Sequence, residues 1–334
     1  MRTRRSDPRT KGWSRRRRGS GFTYSDAAGT PVRDPDVLER LSALAIPPAW
    51  REVWICPDPA GHIQAVGTDA AGRRQYRYHD AWRTRRDGAK FDRVLHVARR
   101  LPRLRADVER HLAERGPTRD RVLAGCVRIL DSACLRIGGE SYATGDEPSF
   151  GLATLRRDHV RVRGATVTLR FPAKSGVAVD QDIEDPLLAR LVRTLLGRAA
   201  PDEELFAYRA GRTWADVRSA DINDYLRAST GEELTAKDFR TWHATVLAAT
   251  LLAIRPRPEA ATARRKLVTV VMRETAELLG NTPAVTRGSY VDPRIVDLYH
   301  AGTVVAARLR EGEDPADLAV RRRMGPAVIR LLTD

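Results

Sequence analysis

Gly280-Asn281-Thr282-Pro283-Ala284-Val285-Thr286-Arg287-Gly288-Ser289-Tyr290 begins where an amphipathic helix stops. Leu267, Val270, Val271, Leu278 and Leu279 recur at helical spacing before it, and Gly280 is a helix-stop residue. Thr282-Pro283 has the pattern of an N-cap followed by proline in the first helical position, which predicts a short helix carrying Val285 and Tyr290. Asp292-Pro293 repeats the signal and opens another helix through Ile295, Leu298 and Tyr299. Tyr290 thus falls at a helix–helix junction, where a side chain can point into a cleft without disturbing a core. Taken alone, it reads as a core or interface aromatic.

Upstream stand three more frames. Lys237-Asp238-Phe239-Arg240-Thr241-Trp242 leads into a helix rich in alanine and leucine, with Thr235 placed to cap it. Phe171-Pro172-Ala173-Lys174-Ser175-Gly176 is a tight turn between Val167, Leu169 and Phe171 in alternation and a resumption at Val177 and Val179. With Val160 and Val162 ahead of a turn at Gly164, this predicts a β-meander with Lys174 at a tip. Leu135-Arg136-Ile137-Gly138-Gly139-Glu140 closes the clearest amphipathic helix, predicted over 121–137 with Val122, Leu123, Cys126, Ile129, Leu130 and Ala133 on one face. Each residue has a plain alternative: Arg136 as complement to a helix dipole, Lys174 as a solvated hairpin tip.

As an ordered set, Arg136, Lys174, Arg240, Asn281 and Tyr290 resemble the active site of type IB DNA topoisomerases, in particular the small poxvirus-like and bacterial branch. The resemblance runs from about residue 21 to about residue 310. It implies that Tyr290 attacks phosphorus, that Arg136 and Arg240 clamp the non-bridging oxygens, and that Lys174 protonates the leaving 5′ oxygen. A guanidinium fork fits two oxygens of one phosphate, which an ammonium does not. Lys174 would need a pKa lowered towards neutrality, and two nearby arginines supply the like charge for that. Most relatives carry histidine where this chain has Asn281. Asparagine still donates a hydrogen bond but exchanges no proton near neutral pH, so the departure bears on rate and pH dependence.

Composition agrees with a polyanionic partner. The chain has 334 residues, 42% of them hydrophobic, a formal net charge of +16 and a pI near 10.6, enough for two domains and for binding nucleic acid. Residues 1–20 hold nine Lys/Arg against one Asp, including Arg15-Arg16-Arg17-Arg18, and read as a disordered basic tail without the apolar region of a secretory signal. Cys56, Cys126 and Cys134 show no metal-ligand spacing; Cys126 and Cys134 lie on one predicted helix and read as small core residues, which suits a reducing cytoplasm. No apolar run reaches the length of a membrane span. No paired-carboxylate metal site, phosphate-binding glycine loop or zinc ribbon is present, so the metal- and ATP-dependent topoisomerase classes fit poorly. No cofactor or metal is expected, and magnesium should be dispensable.

Ahead of the helices, 21–88 reads as a small β-rich domain. Its strands are Val53–Cys56, His62–Val66 and Arg73–Tyr78; in the last, Gln75 and Arg77 face opposite to Arg74, Tyr76 and Tyr78. Gly72-Arg73-Arg74-Gln75-Tyr76-Arg77-Tyr78 looks like the segment that reads the DNA major groove in the poxvirus-like enzymes, which implies that Arg74, Gln75, Tyr76 and Tyr78 contact DNA, with Lys237 as a further contact. Residues 186–228 read as helical, broken around Pro201-Asp202-Glu203-Glu204. The expected fold class is α+β: tail 1–20, β-rich DNA-binding domain 21–88, and a larger, mostly α-helical catalytic domain 89–334 with a three-stranded β-meander. The partner is double-stranded DNA, clamped by a monomer at the nucleoid. Two rivals remain. A tyrosine recombinase shares the Arg–Lys–Arg–Tyr chemistry but usually has a helical N-terminal part, and histidine where Lys237 stands. A non-catalytic basic DNA-binding protein would bind DNA without forming an adduct.

Overall fold

The computed structural model describes residues 3–144, 147–199 and 203–334. The chain forms two compact units that meet in sequence at Phe91 and Asp92, and the fold is α+β, as expected.

The first unit is a five-stranded antiparallel sheet, with one helix against it. In chain order it contains β1 (Trp13–Arg18), β2 (Gly21–Ser25), α1 (Pro35–Ala43), β3 (Arg51–Ile55), β4 (Ile63–Thr68) and β5 (Arg74–Tyr78), with spatial order β2-β1-β3-β4-β5. Its core joins Leu41 and Ile46 to Val53, Ile55 and Ala65.

The basic stretch inside 1–20 is therefore not a disordered tail but, over 13–18, an inner strand of the sheet. Its alternation is the reason. Trp13 packs against the core, and Arg15, only 9% exposed, donates to the carbonyls of Ile46, Pro47 and Trp50 at 2.7, 2.8 and 3.1 Å. Its guanidinium also lies 4.1 Å from the Phe22 ring centroid. Three carbonyls and a ring face offset the cost of burying the charge. Gly19, at φ +58, makes the two-residue loop that joins Arg18 to Gly21. Met1 and Arg2 of that stretch lie outside the described residues.

The second unit begins within α2 (Asp80–Ala98) and continues with α3 (Leu101–Ala113), α4 (Arg119–Ala133), β6 (Val160–Arg163), β7 (Thr166–Pro172), β8 (Ala178–Glu184), α5 (Pro186–Leu196), β9 (Ala207–Ala210), β10 (Thr213–Asp216), α6 (Ser219–Thr230), α7 (Ala236–Ile254), α8 (Ala261–Leu279), α9 (Pro283–Ser289), α10 (Pro293–Ala301) and α11 (Leu318–Leu331). The meander has the expected order β6-β7-β8. α7 runs through the centre and is buried almost all round, which its small Ala, Thr and Leu side chains permit.

Two expectations are corrected. The helix predicted over 121–137 stops at Ala133, because Cys134 takes a left-handed conformation (φ 51) and caps it. Arg136 lies beyond that end, on a segment held by Leu152 N–H donating to Arg136 O at 3.0 Å and Ala153 N–H to Ile137 O at 2.7 Å. Gly138, at φ +83, lets this segment touch Gly151: a Cβ there would sit 2.9 Å from Gly151 Cα. Second, 186–228 is not continuously helical. β9 and β10 form a hairpin turning at Gly211, with Tyr208 and Trp214, on its opposite faces, both packed against the core. Pro201 and Asp202, in the expected break, lie outside the described residues.

Candidate active site

Four of the five expected active-site residues meet where α4, α7 and α8 end or begin. α7 starts at Thr235, with Asp238 one turn in; the Asp238 carboxylate accepts from Thr235 N–H and Oγ–H, both at 2.8 Å, and from Arg93 at 2.6 Å. One turn on, Arg240 is 4% exposed. Its Nη1 donates to the carbonyl of Cys134 and its Nη2 to that of Leu279 at 2.9 Å, so one guanidinium ties the end of α4 to the end of α8. Two of its five N–H groups are thereby used. Nε is buried with no acceptor among the described residues.

α8 ends as expected at Gly280, left-handed at φ +57, which turns the chain so that Asn281 follows directly behind the Leu279 carbonyl. Arg136 Nη2 donates to Asn281 Oδ1 at 2.6 Å. Arginine has no acceptor, so the oxygen of the amide must face it, and Nδ2 must face away. That Nδ2 is buried and has no acceptor among the described residues. The two donors, Arg240 Nε and Asn281 Nδ2, would each cost about 1–3 kcal/mol if left unpaired. Both call for an acceptor from outside the described residues.

Tyr290 caps α9, which Thr282 opens by accepting from Val285 N–H at 3.3 Å. Thr245, buried on α7, lies at the junction: its hydroxyl accepts from Asp292 N–H at 3.1 Å and shares its one proton between Thr241 O at 2.8 Å and Tyr290 O at 3.3 Å. The Tyr290 ring centroid lies 5.1 Å from the Arg240 guanidinium and 5.8 Å from Lys237 Nζ. Burial pushes the Tyr290 phenol up, but the nearby positive charge of Arg240, with that of Lys237 and Arg136, outweighs this and holds the phenol below its ordinary value. Burial, then the like charge of Arg240, lowers Arg136.

Lys174 stands on the exposed turn between β7 and β8 and makes no hydrogen bond or ion pair with the other four among the described residues. The same turn brings Val177 over the site: a Cβ on Gly280 would lie 3.5 Å from Val177 Cγ1. A pocket of about 210 Å³ opens there, lined by Cys134, Arg136, Phe171, Val177, Arg240 and Gly280. In the first unit, Arg74 and Tyr76 are exposed and Tyr76 stacks on Tyr78 at 6.1 Å between centroids. Gln75 belongs to the other face, where its amide donates to Asp69 at 2.9 Å.

Behind Arg240 lies a group of residues with no motif to announce it. Asp131, one turn before Cys134, accepts from His243 at 2.9 Å, from Arg105 twice at 2.9 Å and from Arg322 at 2.5 Å. His243 is itself one turn after Arg240. Burial would raise the Asp131 carboxyl, but hydrogen bonds from His243 and Arg105 hold it well below the usual range. Burial first, then the charges of Arg321 and Arg105, push His243 down to about 4 despite the pull of Asp131. His243 is therefore neutral at pH 7, its Nε2–H donating to the carboxylate.

A tyrosine, two arginines and an asparagine thus gather at these helix ends, with two buried donors that have no acceptor among the described residues. Residues 79–297 match the family model described as eukaryotic DNA topoisomerase I, catalytic core, and 21–69 match that of the bacterial DNA topoisomerase IB N-terminal domain. The chain belongs to the type IB DNA topoisomerases, which are isomerases. It is 29% identical over 319 residues to DNA topoisomerase 1B of Acanthamoeba polyphaga mimivirus, covering 93% of this chain and 94% of that one. To DNA topoisomerase 1B of vaccinia virus (strain Copenhagen) it is 22% identical over 294 residues, 84% and 87% of the two chains. DNA topoisomerase I of monkeypox virus is 23% identical over the same length.

Proposed function

We propose that the protein relaxes supercoiled duplex DNA by cutting one strand through a 3′-phosphotyrosyl link at Tyr290, letting the strand rotate, and resealing it, with neither ATP nor a required metal. Tyr290 Oη attacks phosphorus as its proton passes to solvent water, and the bond to the 5′ oxygen breaks. Arg136, Arg240 and Asn281 bind the non-bridging oxygens, on which charge accumulates in the transition state. Lys174 donates a proton to the leaving 5′ oxygen, which requires its turn to close towards the phosphate. Resealing is the same step reversed: the phosphotyrosyl bond preserves the energy of the phosphodiester, so no external source is consumed. Arg74, Tyr76 and Tyr78 contact the duplex, and Gln75 reaches a base edge only by releasing Asp69. Lys237, beside the Tyr290 ring, acts on the phenol as well as on DNA. The protein acts as a monomer at the nucleoid.

The observation that carries this reading is the pair of buried donors, Asn281 Nδ2 and Arg240 Nε, beside a tyrosine whose phenol is lowered by three cations. A plasmid lacking any recombination site, incubated with the protein in EDTA without ATP, should be relaxed from both positive and negative supercoiling. A strict need for magnesium or ATP would overturn the proposal, and retardation of the plasmid without relaxation would leave only a DNA-binding protein.

A further inference from the structure

Strand register determines which side chains of the first unit share a face. Ser14 pairs with Trp54, Trp54 with Val66 and Val66 with Tyr76, so one row crosses β1, β3, β4 and β5 on a single face. Side chains two residues along a strand return to the same side. Arg16 and Arg18 on β1 therefore share the face of Arg74, Tyr76 and Tyr78 on β5. β1 and β5 run in opposite directions through the sheet order, so the step from Ser14 to Arg16 goes the same way as the step from Tyr76 to Arg74. Arg15 and Arg17 project to the other side; Arg15 enters the core there, and Arg17 is exposed.

Arg16, Arg18 and Arg74 are exposed, and none is paired with a carboxylate among the described residues. The middle of the row is covered: the Trp54 indole N–H donates to Thr10 O at 2.9 Å. The basic side chains sit at its two margins. Three inter-strand steps separate β1 from β5, about 14 Å at ~4.8 Å each. The major groove of B-DNA is about 12 Å wide. A duplex that presents this groove to β5 brings its flanking phosphate backbone towards β1.

We propose that Arg16 and Arg18 bind backbone phosphates of the same duplex that Arg74 and Tyr76 meet, which makes β1 a fixed, sequence-independent phosphate rail beside the reading strand. This rests on the proposed action on duplex DNA but not on the cleavage chemistry. Phosphate contacts of this kind set position and affinity without reading bases. They also fix the role of the Arg15-Arg16-Arg17-Arg18 run: alternate arginines serve core and DNA, and only one side of the strand faces the duplex.

The test is a salt series of duplex binding, read by fluorescence anisotropy on the full chain carrying Tyr290→Phe so that cleavage does not contribute. Each phosphate that is no longer neutralised makes the slope of log K against log salt shallower by about 0.9. Arg16→Gln with Arg18→Gln should therefore flatten it by about 1.8, so that raising salt from about 50 to about 200 mM weakens binding roughly tenfold less than in the parent. Arg16→Lys with Arg18→Lys should restore the slope, which separates missing charge at the phosphates from a damaged sheet. Arg17→Gln removes one charge from the opposite face and should leave the slope unchanged, whereas either Arg16→Gln or Arg18→Gln alone should flatten it by about 0.9. An unaltered slope in the double glutamine variant would overturn the proposal, as would a flattening of about 0.9 by Arg17→Gln, which would mean bulk charge rather than a face. Adduct formation by the unmodified chain, measured separately, decides the cleavage chemistry and does not enter the slope.

Discussion

Asn281 shows how much one amide can carry. Its oxygen is held by Arg136, and its nitrogen is left as a buried donor beside Arg240 and Tyr290. Asn281→Ala should slow cleavage and resealing together, because both pass through one transition state; loss of such a donor costs on the order of 10²–10³ in rate. Asn281→His should keep much of the activity, since a neutral imidazole can accept from Arg136 at Nδ1 and donate from Nε2. It should also add a pH dependence near the histidine pKa of about 6.5. Single-turnover cleavage of a suicide duplex across pH checks both variants, and a neutral Asn281→Ala would mean the amide does not reach the phosphate. Asn281, Arg136, Arg240 and Tyr290 could be singled out in the sequence because, as an ordered set in their local frames, they resemble the type IB enzymes, and the fold brings the four together. The groups that hold them were not. The Cys134 carbonyl is a backbone atom with no side-chain signature, and Thr245 is one threonine among several in an apolar helix.

At the scale of elements, α4 and α7 are joined twice, one turn apart on each: by Arg240 to the Cys134 carbonyl and by His243 to Asp131. The second link carries a pH signature. His243 titrates at about 4 in the fold against 6.5 for the free group. Between those values the unfolded chain holds a proton that the folded chain does not, so stability falls as pH drops through that window. At about 1.36 kcal/mol per unit the full window is worth about 3 kcal/mol. The Asp131 carboxyl, lowered well below its ordinary range, is lost at still lower pH in the same direction. Thermal melts from pH 7 to 4 should show a fall that His243→Gln, which can still donate to Asp131, flattens; identical profiles for the two proteins would contradict a neutral buried His243. Other elements show where sequence patterns mislead. The meander and the capped helices α9 and α10 follow from alternation and from Thr-Pro and Asp-Pro starts. β1 was hidden because four successive arginines look solvated, although Trp13 and Gly19 mark an inner strand and its turn. The β9–β10 hairpin was hidden because short strands around Gly211 carry too few apolar residues to interrupt a helical reading.

For the whole molecule, the charge of +16 is not a tail appended to a neutral enzyme but is partly built into folded surface and core. Deleting residues 1–20 should therefore do more than weaken DNA binding. It removes Trp13 and Arg15 from the core of the first unit and leaves three carbonyls without their donor. Hydrogen exchange should show faster exchange in β2 and β3, which pair with β1, while α7 keeps its protection; unchanged exchange in β2 and β3 would show that β1 contributes nothing to the sheet. The central claim, however, is covalent, and its most direct measurement is a mapping of the protein–DNA link. A suicide duplex is cleaved, the complex is denatured and digested, and the peptide bearing the nucleotide is sequenced. The expected result is one modified residue, Tyr290, with its oxygen on a 3′ phosphate, and no adduct from Tyr290→Phe although that variant still binds the duplex. A nucleotide on any other residue, or an adduct from Tyr290→Phe, would contradict it.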